Sequence, residues 1–174
     1  MGRPARRLSH ASSESRGGRV EPAAAIVARV TVEGMDHVGI VVDDLAAASA
    51  FFDELGFELQ GEGEVDGAWV DRVVGLEGVR VQYAMVGVPD GHGRLELIKF
   101  HAPPAQGGDP DAPANTRGIR HVAFVVRDLD AVLARVQARG AEVVGEVERY
   151  GNVFRLCDVR GPEGIIVELA ERLG

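Results

Sequence analysis

The chain is poor in cysteine and lysine: its 174 residues include one Cys, Cys157, and one Lys, Lys99, and the other 18 of its 19 basic side chains are Arg. A single thiol excludes a disulfide framework and a zinc cluster built on thiolates, and it suits a reducing cytoplasm, the location expected here. Long apolar runs are missing too. No stretch approaches the roughly 18 residues of a membrane span, so no membrane partner is expected. Positive charge is also short, with a formal net charge of -8. That argues against a nucleic-acid partner, whose binding rests on Lys and Arg neutralising phosphates. What is present, 45% apolar and 26% charged residues, is the composition of an ordinary globular chain. It is long enough for one domain or for two small modules sharing a core.

Charge is spread unevenly. Residues 1–30 hold six Arg against Glu14 and Glu21, a local balance of +4 that leaves -12 for the remainder. The stretch 8–22 is rich in Ser, Gly and Arg, has no apolar period and reads as disordered. Residues 1–32 are therefore expected to form a disordered or poorly ordered tail, and 34–171 the folded body.

An internal repeat organises that body. Residues 36–62 align with 120–146 at an offset of 84 without a gap, and 12 of the 27 positions are identical. The matches include His37/His121, Asp44/Asp128, Leu45/Leu129, Gly56/Gly140 and Gly61/Gly145. Such agreement marks a tandem duplication of one supersecondary unit. In each copy a short β-branched run (HVGIVV, HVAFVV) reads as a strand. Asp44 and Asp128 suit helix N-caps, and Gly56 and Gly140 suit the left-handed position just past a helix end. Further strands are expected at FELQGE, VRVQYAMV and RLELIKF in the first copy. The second copy has AEVVGE, NVFRLCDV and GIIVELA. The class is thus α+β, βαβββ twice, with module one at 34–100, a Pro-rich linker at 101–117 and module two at 118–171. An insertion around Trp69–Leu76 is expected to form one or two helical turns, with Trp69 and Phe57 as packing residues.

Each first strand begins with a His, and each last strand carries a Glu in matching context, Glu96 in RLELI and Glu168 in IVELA. Alternation along a strand puts His37, Gly39 and Val41 on one face, and likewise His121, Ala123 and Val125. A Glu in an otherwise apolar strand is costly to bury without a partner. If the modules pair with pseudo-twofold symmetry, His37, Glu96, His121 and Glu168 converge. Two imidazoles and two carboxylates suit a divalent ion such as Ni, Zn, Mn, Co or Fe. Arg155 and Tyr83 are candidates for substrate contact, and Met85 and Phe100 for the apolar lining of the cavity. Cys157 reads as a buried structural thiol. His92 and His101 fall in a turn and the linker, and His10 in the tail.

The duplicated unit with its His and Glu positions resembles the vicinal oxygen chelate superfamily, which includes glyoxalase I, methylmalonyl-CoA epimerase, extradiol dioxygenases, fosfomycin-resistance transferases and bleomycin-binding proteins. The resemblance covers about residues 34–171. It implies a U-shaped mixed sheet around a metal held at the positions of His37, Glu96, His121 and Glu168, a ligand pattern most like that of glyoxalase I. It further implies a homodimer acting on a small molecule, and a lyase or isomerase reaction that moves a proton alpha to a carbonyl. Glu168 would be the base and Glu96 its counterpart. An iron-dependent dioxygenase and a metal-free binding or antibiotic-resistance protein are the alternatives. Val41 and Phe100 stand where glyoxalase I places polar groups for glutathione, which argues against that co-substrate.

Overall fold

The structure, a computed structural model, describes residues 32–89, 91 and 93–174. The expected tail apart from Val32, with His10 in it, lies outside the described residues, as do Asp90 and His92. The first copy of the repeat runs β1 (Val38–Val41), α1 (Leu45–Glu54), β2 (Glu58–Asp66), α2 (Ala68–Val74), β3 (Arg80–Gly87) and β4 (Arg94–Ala102). In the second copy the order is β5 (His121–Val126), α3 (Leu129–Ala138), β6 (Glu142–Val143), β7 (Glu148–Tyr150), β8 (Phe154–Arg160), a 3-10 turn Pro162–Gly164 and β9 (Ile166–Arg172).

The repeat shows in the local chemistry of the helix ends. Asp44 Oδ1 accepts from the Ala47 amide and Asp128 Oδ1 from the Ala131 amide, both at 2.9 Å. Each satisfies one of the amides that a helix start leaves unpaired. Gly56 and Gly140 have φ of 92° and 89°, a left-handed backbone that a Cβ would strain. α1 buries Ala48, Phe51 and Phe52, and α3 buries Leu129, Val132, Leu133 and Val136. These positions form one helical face in each case.

Each half folds one mixed sheet, ordered β1-β4-β3-β2 in the first and β5-β9-β8-β6 in the second, with β7 also on β8. Within each sheet the outermost pair is parallel (β1 with β4, β5 with β9) and the rest antiparallel. The strands thus divide into two sheets rather than one continuous ladder, and β1 and β5 are both edge strands. The expected second strand of module two is shortened to β6, and β7 is a strand beyond it. After Val143 the Val144 amide still donates to Asp158 O at 2.9 Å, then the chain leaves the ladder and returns as β7.

The main core lies between the helices and both sheets. It joins Phe51, Phe52, Leu95 and Leu97 of the first half to Leu129, Val159, Val167 and Leu169 of the second. Phe57 and Phe124 meet edge to face across the halves at 4.8 Å. Gly161 leaves room for the Phe51 ring, which a Cβ there would meet at 2.7 Å. Glu163 ties the halves as well: its carboxylate accepts from the Asp43 amide at 2.7 Å and the Asp44 amide at 2.6 Å. The expected helix at the insertion is α2. It seats Val70 on Val79 and Val81, against Val65, Ile98 and Phe100. Phe57 is a packing residue, as expected, but Trp69 is not: α2 turns Val70 inward and leaves Trp69 57% exposed. Among the described residues no helix is long and apolar enough to cross a membrane.

Candidate metal centre

β1 turns Val38 and Ile40 toward the core and leaves Gly39 and Val41 on the open face, with His37 just ahead on the same side. Parallel pairing puts Gly39 beside Glu96. Glu96 lies between Leu95 and Leu97, which are 1% and 0% exposed, so its side chain takes the opposite, open face. The result is close: His37 Nε2 lies 3.3 Å from Glu96 Oε2, with the two side chains 35% and 27% exposed. Neighbouring donor atoms on an ion bound at about 2.1 Å stand roughly 3.0–3.4 Å apart. The His37–Glu96 pair therefore has the spacing of two ligands of one ion, and it opens to the surface.

The second half repeats the register, with Ala123 beside Glu168 in the β5–β9 pair. His121, Ala123 and Val125 lie on its open face. Asp158 is the direct antiparallel neighbour of Glu168. Carboxylates placed opposite one another repel, so Glu168 and Asp158 together bring negative charge to this face. The four expected ligands are nevertheless not gathered within one chain. Among the described residues, no three His, Cys, Asp or Glu side chains converge as ligands of one ion would.

The expected substrate residues separate into two groups. Met85 is the cross-strand neighbour of Glu96, and Tyr83 that of Ile98, both on the Glu96 face. Phe100, two residues farther along β4, packs under α2 on that same face. Arg155 does not lie on that face. It points to the helix side, where its guanidinium donates to both oxygens of Asp130 at 2.7 and 3.1 Å and to Glu171 at 3.1 Å. The Asp130 bond holds the carboxyl of Asp130 below its ordinary value and pushes Arg155 up. Cys157 is 2% exposed, and burial raises its thiol above the ordinary value, as suits a structural thiol rather than a nucleophile. His101, expected in the linker, lies exposed near the end of β4.

Three residues near the centre escape a reading of the sequence for ligands. Asp36 places Oδ2 at 2.7 Å from His37 Nδ1 and Oδ1 at 3.3 Å from Arg94 Nη1. Asp158 is the third. The signal for Asp36 lay in the repeat itself, because this position is Asp in one copy and Arg120 in the other.

A model of the Glyoxalase/Bleomycin resistance protein/Dioxygenase superfamily matches residues 34–169. The solved structure of a glyoxalase family protein from Bacillus cereus is 46% identical, with a TM-score of 0.81, covering 84% of this chain and 99% of that one. The uncharacterized protein YaeR of Escherichia coli K12 is 31% identical over 140 residues, 78% of this chain and 94% of its own length. The trypanothione-dependent glyoxalase I of Leishmania major is 20% identical with a TM-score of 0.55, covering 80% of this chain and 87% of that one. At that identity the likeness concerns the fold alone.

Proposed function

Because the chain belongs to the Glyoxalase/Bleomycin resistance protein/Dioxygenase superfamily, we propose that it is a metal-dependent lyase or isomerase of that superfamily. It would move a proton on the carbon next to a carbonyl of a small substrate. The observation that carries this reading is the His37–Glu96 pair, spaced at 3.3 Å as two ligands of one ion, together with the repeated register of His121 and Glu168. A divalent ion (Ni, Zn, Mn, Co or Fe) held by these four residues would supply Lewis acidity toward the carbonyl oxygen. Glu168 accepts the proton from the alpha carbon, and Glu96, its counterpart in the repeat, returns one to the neighbouring carbon. Tyr83, Met85, Phe100 and Val41 give the open face an apolar wall, which favours an apolar or aromatic body in the substrate over a glutathione conjugate. A cytoplasmic setting accords with the single, buried Cys157.

In this reading residues 34–171 form the working domain. Each chain supplies two half-centres, and the free edges of β1 and β5 favour a homodimer. The His37–Glu96 half of one copy then faces the His121–Glu168 half of its partner. Metal analysis of protein purified without chelators tests the centre, and stoichiometric metal is expected. Protein that carries none and takes up none on dialysis would instead favour a metal-free binding or antibiotic-resistance role. Iron together with oxygen uptake on a catechol would favour a dioxygenase. Complementation tests the sharing. His37→Ala and His121→Ala variants each lose tight binding, whereas a refolded mixture recovers it through mixed dimers with one intact centre. No recovery in mixtures shown to exchange subunits would confine the centre to one chain.

A further inference from the structure

The two halves of the candidate centre differ just outside the four ligands. Asp36 stands one residue before His37 and engages both of its carboxylate oxygens. One is 2.7 Å from His37 Nδ1 and the other 3.3 Å from Nη1 of Arg94, which opens β4 two residues before Glu96. A carboxylate this close to Nδ1 takes the ring's single proton there and leaves the lone pair on Nε2. Nε2 is the nitrogen that faces Glu96.

The other half lacks this arrangement. Position 36 aligns with position 120, and Arg120 turns its guanidinium to the Ala112 carbonyl at 2.9 Å. A guanidinium has no acceptor to offer an imidazole N–H. Among the described residues no side chain is hydrogen-bonded to His121, so nothing there corresponds to Asp36.

We propose that Asp36, anchored by Arg94, is a positioning residue that presets His37 as an Nε2 ligand, so that the His37–Glu96 half captures a divalent cation first and the His121–Glu168 half then closes on it. The inference rests on the metal-centre reading given above. Outer carboxylates of this kind fix ring orientation and raise ligand basicity, and their loss costs about 10–100-fold in metal affinity. Asp36 is 72% exposed, and exposed ion pairs add little to folding stability, so its removal leaves the fold intact.

The test uses the full chain and Co2+ alone, whose visible absorption reports its ligands. Asp36→Ala is expected to weaken Co2+ binding about 10–100-fold with the melting temperature unchanged, and Asp36→Glu to restore part of the loss. His121→Ala is expected to keep weak Co2+ binding that His37→Ala lacks. In metal-free protein at alkaline pH, where imidazole is neutral, nitrogen NMR is expected to show the Nδ1–H tautomer for His37, lost in Asp36→Ala. Unchanged Co2+ affinity in Asp36→Ala overturns the proposal. So does an Nε2–H tautomer in the wild type, or weaker residual binding in His121→Ala than in His37→Ala. A wild type that binds no Co2+ defeats the metal-centre reading and the order of capture. The tautomer measurement then still decides whether Asp36 orients the ring.

Discussion

Phe52 is fully enclosed, with its ring edge-on to Phe51 at 5.2 Å and to Phe57 at 5.3 Å. Removing it leaves a cavity that the crossing aromatics cannot fill, so Phe52→Ala is expected to cost about 3–5 kcal/mol. Denaturant unfolding reads this as a lower midpoint at unchanged slope, and a loss below about 1 kcal/mol would mean that the neighbours collapse into the space. At this scale the sequence was a good guide where a residue's role depends on its own neighbours. The caps Asp44 and Asp128 and the left-handed Gly56 and Gly140 were legible, because their chemistry spans only a few residues. Arg155 was not, since its partners Asp130 and Glu171 lie 25 and 16 residues away and a strand residue shows its face only once the sheet is built. Trp69 was misread for a related reason. A short helix has several possible rotations, and burial of Val70 decided this one.

Among the elements, α3 is tied to its own sheet by an ion-pair bridge. Arg155 on β8 bridges Asp130 in the first turn of α3 to Glu171 on β9, whose other oxygen accepts from the Leu129 amide at 3.4 Å. The sign of the pH dependence follows from Asp130, whose folded value is lowered below its ordinary 3.8, mainly by the Arg155 hydrogen bond. Its contribution is present in full above the ordinary value and is lost as pH falls through the lowered one. The stability advantage of the wild type over Asp130→Asn is therefore expected to be constant at neutral pH and to disappear in acid. Thermal melts from pH 7 to pH 2 check this, and an advantage that grows in acid would contradict it. The repeat predicted the helices and the leading strand of each copy well, because periodicity and caps are local. The shortening of the expected 141–146 strand to β6, and the separate β7 beyond it, were hidden, since where a chain leaves its ladder depends on the partner strand.

For the whole molecule, the duplication made the architecture readable but not the way its halves lie together. Most of the contacts that join them involve residues that differ between the aligned copies. Glu163 takes the amides of Asp43 and Asp44, Arg139 pairs with Glu54 at 2.8 Å, and Phe57 crosses Phe124. For Arg139–Glu54 and Phe57–Phe124 the aligned residues of the other copy are Leu55 and Ala138, and Ala141 and Ile40, which cannot make the same contacts, so symmetry could not foretell these two. The same limit applies to the candidate centre. His37, Glu96, His121 and Glu168 were legible one by one from their repeated positions, whereas the division of the strands into two sheets separates the pairs within a chain. α2 breaks the symmetry most plainly, since the second half has no such helix. It carries the molecule's single tryptophan, with Val70 seated above the Glu96 face and the indole left in water. An indole so placed is a built-in optical reporter. Its emission is expected to move to shorter wavelength when a ligand or a second copy covers that face, and to stay unchanged when urea loosens only the far half. Trp69→Phe should silence the signal without altering metal uptake. The insertion that spoils the repeat thus lets light distinguish events at one half of the molecule from those at the other.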